Sequence, residues 1–215
     1  MSSITVIGGT GYAGSAIVAE AASRGHEVTS FSRSLPEAQV PNVSYVQGDA
    51  TDESALAAVI QGADVVVGAL SPRGAIADSY RDIYRMIARL TDAAKARLFI
   101  VGGYSSLRPA PGAPRVVSDL SHAPAELHHE LTTVAALLTD ALPSAPATLD
   151  WVFVSPAGKF GSFAPGERLG HYRVGDDVAL VPADGGEISG ADFALGFVET
   201  IEKDAHHRAH INLAY

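Results

Sequence analysis

The chain has 215 residues, of which 47% are hydrophobic and 18% charged, enough apolar material for the core of one α/β domain spanning residues 1–215. With 24 acidic against 15 basic residues and a formal net charge of −9, it carries no basic stripe for a nucleic-acid backbone, and no apolar run reaches bilayer length. Cysteine is absent, which excludes disulfides, thiolate nucleophiles and cysteine-bound metal clusters. The opening Met1-Ser2-Ser3-Ile4 has no basic region ahead of its apolar run, so a cytoplasmic protein is expected.

Ile4 to Ile7 is too short for a helix and is cut off by Gly8-Gly9, which predicts a buried parallel strand. A helix should start near Gly11, run through small residues to Ala22 and stop at Gly25. Strands are expected at Glu27 to Phe31 and Val43 to Val46, a helix at Asp52 to Ile60 and a fourth strand at Ala63 to Leu70. From Asp78, Ile83, Ile87, Leu90 and Ala94 recur at helical spacing, leaving Arg81, Arg85, Arg89 and Asp92 for the outer face. Leu98 to Val101 reads as strand five. Prolines 109, 111 and 114 mark a loop, and Leu127, Leu131, Val134, Leu138 and Leu142 stripe the next helix. Leu149 to Val154 is strand six, followed by a hairpin around Gly175-Asp176-Asp177, a helix from Gly190 to Glu202 and a short last strand near Ile211.

Strands alternating with helices require right-handed crossovers and a mostly parallel sheet. The expected architecture is a three-layer α/β/α, doubly wound Rossmann fold with strand order 3-2-1-4-5-6 plus the terminal strand. Residues from about 156 to 215 are left for small elements on the substrate side. Ligands bind such sheets at the carboxyl ends of strands one and four, which selects the loops at 8–14, 31–34, 69–73 and 102–106.

Gly8-Gly9-Thr10-Gly11-Tyr12-Ala13-Gly14 spaces its glycines as G-x-x-G-x-x-G between a strand and a helix. Gly8 permits the turn, Gly11 lets a pyrophosphate approach the backbone, and Gly14 lets the helix pack on the strand. Thr10, Tyr12 and Ala13 lie at the helix amino terminus, where free N–H groups attract phosphate. An NAD-selective site places an acid at the end of strand two. Here the chain reads Ser32-Arg33-Ser34, with an arginine suited to a 2′-phosphate, so NADP(H) is expected over NAD(H); Arg33 as a merely solvated loop charge is the alternative. Asp49, before Ala50, could accept from the adenine amino group or cap the following helix.

These motifs resemble the atypical short-chain dehydrogenase/reductase group of NAD(P)H-binding proteins with NmrA-like and flavin reductase or biliverdin reductase B-like members. The residues that carry it are 8–14, Gly-Asp-Ala-Thr-Asp at 48–52, Val-Gly-Gly at 101–103, Val-Ser-Pro-Ala at 154–157, Pro-Gly-Glu-Arg at 165–168 and Ile-Ser-Gly-Ala-Asp-Phe-Ala at 188–194. The resemblance implies cofactor contacts at the glycine loop, Arg33, Asp49, Ala69, Leu70, Ser71, Val101, Gly102 and Gly103. It also implies contacts at Ser155, Pro156 and Ala157 beside the nicotinamide.

The acid/base pair Tyr-x-x-x-Lys of typical short-chain dehydrogenases occurs nowhere in the sequence. Tyr104 and Ser105, after strand five, are the candidate catalytic residues, Tyr104 as proton donor or as a platform that stacks on a planar ligand. A flavin or quinone takes hydride and can collect its proton from solvent, so orientation would supply most of the catalysis. The expectation is an NADPH-dependent reductase of a small planar acceptor, flavin being a possible substrate. A non-catalytic redox sensor and, less favoured, a small epimerase or dehydratase are the alternatives. No nucleic-acid or membrane partner is expected, the assembly being a monomer or homodimer. His206 and His210 would share a face if helical, but without a carboxylate at matching spacing they are not expected to bind metal.

Overall fold

The computed structural model describes residues 1–181 and 185–215. Among the described residues, eight strands form one sheet: β1 (Ser3–Ile7), β2 (Glu27–Ser32), β3 (Val43–Gln47), β4 (Val65–Gly68), β5 (Arg97–Val101), β6 (Trp151–Pro156), β7 (Arg173–Gly175) and β8 (Ala209–Ala214). Their order is β3-β2-β1-β4-β5-β6-β8-β7, with every pairing parallel except that of β7 with β8. The first six strands therefore follow the expected Rossmann order, and the sheet continues beyond them by two strands.

Among the described residues, five α-helices flank the sheet: α1 (Tyr12–Ser23), α2 (Glu53–Ile60), α3 (Tyr80–Ala93), α4 (His128–Ala136) and α5 (Gly190–Lys203). Strand side chains alternate between faces, and this alternation splits the core in two. Ile4, Val6, Val65 and Val67 pack with Ile17 and Val18 of α1 and Phe193 and Phe197 of α5. Ile7, Val66, Leu98 and Ile100 pack with Leu56 of α2 and Ile83, Tyr84 and Ile87 of α3. The arginines of α3 stay outside, where Arg81 and Arg85 pair with Asp140 and Arg89 pairs with Glu53.

Several local expectations needed correction. Tyr80, not Asp78, starts α3, after a short 3₁₀ turn at Gly74–Ile76. The stripe from Leu127 to Leu142 is not one regular helix, because α4 widens into a π turn at Leu137–Ala141. Among the described residues, no hairpin forms around Gly175-Asp176-Asp177. β7 instead pairs antiparallel with the distant β8, Val174 opposite Leu213, while Asp176 accepts from the Val178 N–H in a tight turn. Turn chemistry marks a reversal of the chain without saying which strand it returns to.

One carboxylate gathers several bonds from the tail after β6. Asp192, fully buried in the first turn of α5, accepts hydrogen bonds from the N–H groups of Leu169 and Gly170 and from the hydroxyls of Ser189 and Tyr215. Burial opposes its charge, but these donors outweigh it and hold the carboxyl below its ordinary range. Asp192→Ala would take the acceptor from the buried Ser189 hydroxyl and from three partly exposed donors, and is expected to cost roughly 2 kcal/mol, seen as a thermal midpoint lowered by roughly 4–8 °C. An unchanged midpoint would mean that water replaces the carboxylate at no cost.

Candidate cofactor cleft

Because β1 through β6 and β8 run in parallel, the loops that follow them meet along one edge of the sheet. The winding reverses between β1 and β4, which opens a crevice at that edge. The glycine loop lies in this crevice. Gly8 has a φ of +91°, and a Cβ there would lie 2.6 Å from the Ala69 carbonyl oxygen; a Cβ on Gly14 would lie 2.2 Å from the Gly8 oxygen. Both glycines are required by the fold.

Gly11 is different. Its φ of −73° and ψ of 171° suit any residue, and a Cβ would meet nothing closer than the Gly8 oxygen at 3.4 Å, an ordinary contact. Packing within the protein therefore does not call for glycine here. Gly11 is the N-cap of α1 and supplies no side chain to the first N–H groups of the helix, which have no acceptor within the helix. Open space above Gly11, free N–H groups and the positive end of the helix dipole together fit a bound pyrophosphate.

Around the loop, Arg33 is exposed at the end of β2, and its guanidinium makes no hydrogen bond or ion pair among the described residues. Its carbonyl accepts from Gln47, which fixes the backbone beneath it. The Ser32 hydroxyl is buried without a partner among the described residues, and Ser34 is exposed. Asp52 caps α2 by accepting from Ser54 and Ala55 N–H, so Asp49 does not serve as that cap. Asp49 accepts instead from the Thr51 N–H and hydroxyl, which, with a smaller contribution from the Arg33 charge, lower its pKa. Ala50 is buried behind it.

Tyr12 keeps its place at the start of α1, but its side chain is committed elsewhere. The hydroxyl donates to the Pro165 carbonyl at 3.0 Å and accepts from the Gly190 N–H at 2.9 Å, and the ring packs edge-on against Phe160. A cofactor would meet Tyr12, like Ala13 and Thr10, through the loop and its backbone. Ala69 lies against Gly8, the Leu70 carbonyl accepts from the Tyr80 hydroxyl, and Ser71 is exposed along the crevice.

At the far end of the crevice, Val101, Gly102 and Gly103 follow β5. Gly102 lies against the Phe153 ring, where a Cβ would be only 2.1 Å away. Tyr104 is half-buried beside Gly185, which in turn accepts from the Gly158 N–H. Ser105 is almost fully buried and its hydroxyl donates to the Leu131 carbonyl of α4, a bond that anchors the helix. Ser155 is wholly buried, with Pro156 and Ala157 behind it; its hydroxyl donates to the Gly103 carbonyl at 2.9 Å.

The sequence reading missed His210. It does not share a helix face with His206: α5 ends at Lys203, Asp204 takes a left-handed conformation, and His210 lies within β8 next to β6. Its Nε2 is 2.8 Å from the Ser155 hydroxyl and its Nδ1 is 3.2 Å from Arg115. Burial, aided by the Arg115 charge, pushes its pKa down to about 3, so the ring is neutral at pH 7. Alternation of His210 and Asn212 with Ile211 and Leu213 was the available signal, since period two places both polar residues on one face of a strand.

A parallel sheet reversing at β1/β4, with a glycine loop leading into a helix, defines a Rossmann-type nucleotide-binding protein. Residues 8–204 match the NAD(P)H-binding family, and the chain belongs to that family. It is 31% identical over 205 residues to the uncharacterized protein YwnB of Bacillus subtilis (strain 168), covering 94% of this chain and 93% of that one. A solved structure of a candidate epimerase from Bacteroides thetaiotaomicron superposes with a TM-score of 0.87 at 29% identity, covering 100% of this chain and 97% of the other. A candidate NADH-flavin reductase from Streptococcus pneumoniae TIGR4 gives a TM-score of 0.82 at 30% identity, covering 100% and 99%. No helix among the described residues is long and apolar enough to cross a membrane.

Proposed function

We propose that the protein is an NADPH-dependent oxidoreductase that passes hydride to a small planar conjugated acceptor, such as a flavin or quinone. The observation that carries the cofactor preference is Arg33. It stands exposed at the end of β2, where the ribose of a bound dinucleotide would lie, and the strand ends in Ser32-Arg33-Ser34 without the acid that would prefer a free 2′-hydroxyl. Ser34, exposed beside Arg33, adds a hydroxyl donor for the same phosphate. The nicotinamide would supply the hydride; the chain supplies orientation, through the loops at 101–104 and 155–157, and a planar aromatic surface in Tyr104. This division of labour suits a chain that lacks Tyr-x-x-x-Lys and whose Ser105 hydroxyl is taken by α4.

Titration of the protein with NADPH and NADH, followed by nicotinamide fluorescence, tests the first half. NADPH should bind at least tenfold more tightly, and Arg33→Ala should remove most of that preference by weakening NADPH alone. Equal affinities in the wild type would refute the role of Arg33. The second half is tested by NADPH oxidation across flavins and quinones. Because one structural neighbour is named as an epimerase, the same assay separates two chemistries: a reductase consumes NADPH in proportion to acceptor, whereas an epimerase cycles its cofactor without net loss. A redox sensor would show neither, and would bind the oxidised and reduced cofactors with different affinities.

A further inference from the structure

A partly buried histidine, a buried serine and a partly buried arginine lie in a row between β6, β8 and the loop after β5, at the end of the crevice assigned above to the nicotinamide. Apolar residues would pack the same space without the cost of desolvating polar groups. The row has a fixed direction. Arginine can only donate, so Arg115 Nη1, 3.2 Å from His210, makes Nδ1 the acceptor of the neutral ring. The ring proton is then on Nε2, which donates to the Ser155 hydroxyl at 2.8 Å. Ser155 must turn its own proton toward the Gly103 carbonyl at 2.9 Å. That carbonyl also accepts from the Ser106 N–H at 3.0 Å, so the peptide leading into Tyr104 is held from two sides.

Arg115 is itself oriented. It donates to the Ser106 carbonyl and lies 3.3 Å from Asp177, which pairs with Arg108 at 2.9 Å. Asn212, two residues along β8 from His210, donates to the Ser155 carbonyl, so β8 fixes both the side chain and the backbone of Ser155.

We propose that His210 is a positioning residue for the nicotinamide end of the cofactor cleft, acting through Ser155 on the Gly103 carbonyl and thereby on Tyr104. The inference rests on NADP(H) occupying the crevice as proposed above. Its consequence is specific: loss of the Nε2 donor disturbs the site where the nicotinamide lies and spares the distant site of the adenosine phosphates.

Two substitutions separate the ends of the imidazole. In His210→Gln the amide nitrogen takes the place of Nε2 and still donates to Ser155. In His210→Asn the shorter amide still accepts from Arg115 but leaves Ser155 without its donor. Binding of NADPH and of 2′-phospho-ADP-ribose, which lacks the nicotinamide, is measured by calorimetry for wild type and both variants. His210→Asn should lower affinity for NADPH about tenfold and leave the fragment unchanged, while His210→Gln keeps the ratio of the two affinities within about threefold of wild type. Ser155→Ala, which removes the bond to Gly103 together with the acceptor for His210 and leaves every residue of β8 in place, should reproduce the Asn result and serves if that variant does not fold. An unchanged ratio in Ser155→Ala, or equal losses for both ligands in all variants, overturns the positioning role. Wild-type protein that binds neither ligand overturns the cofactor reading itself, and this inference with it.

Discussion

Gly11→Val is expected to fold with near-wild-type stability and to lose at least a hundredfold in NADPH affinity. Gly11 has an extended backbone that any residue adopts, and a Cβ there makes only ordinary contacts. The expected fold cost is that of a poor N-cap, about 1 kcal/mol or less relative to glycine. The branched side chain would, however, fill the space a pyrophosphate needs and screen the first N–H groups of α1. Gly14→Ala should behave in the opposite order. Its Cβ would lie 2.2 Å from the backbone oxygen of Gly8, so the loop or helix must move, and thermal stability falls along with binding. Calorimetric binding and thermal melts on both variants give a crossed pattern. If Gly11→Val bound NADPH normally, the phosphates would not lie over the amino terminus of α1.

That contrast shows what local pattern conveys. The glycine spacing, the short apolar runs and the helical stripes on α3 are set by neighbours within a few residues, and they were enough to specify six strands in their Rossmann order. The spacing could not show that Gly8 and Gly14 answer to packing while Gly11 does not, because the atoms that decide it, the Ala69 and Gly8 oxygens, come together only in the folded sheet. The pairing of β7 with β8 was hidden for the same reason, as was the use of Asp192 to gather donors from residues 169, 170, 189 and 215. Tyr12 shows the converse: its place in the motif was plain, but the bonds that commit its hydroxyl come from Pro165 and Gly190, far along the chain. His210 was paired with His206 on a supposed helix face, and only the sheet brings it against Ser155.

Stability should fall as the medium is acidified from pH 6.5 to 4.5, and much of that fall should vanish in His210→Gln. The unfolded chain takes up a proton at His210 as pH drops through the ordinary histidine value of 6.5, whereas the folded protein resists until about pH 3. Between those values the unfolded state binds more protons, so each unit of acidification shifts the balance toward unfolding. At about 1.4 kcal/mol per unit, the loss by pH 4.5 is roughly 2–3 kcal/mol. Other groups are separable by window or by sign. Glu199, lowered from 4.5 to about 2 by Lys203 and Tyr172 with help from Arg24, acts only as pH falls below its ordinary value. His207, raised by Asp150, works in the opposite direction, its contribution being present at low pH and lost as pH rises. Subtracting the variant's profile from that of the wild type leaves His210, because glutamine does not titrate. Urea unfolding at half-unit steps supplies the measurement. Parallel profiles would mean that His210 is protonated in the folded state as readily as in the unfolded one. The Arg115 donation to Nδ1, which requires a neutral ring, would then be lost at weakly acidic pH, while Nε2 would still donate to Ser155.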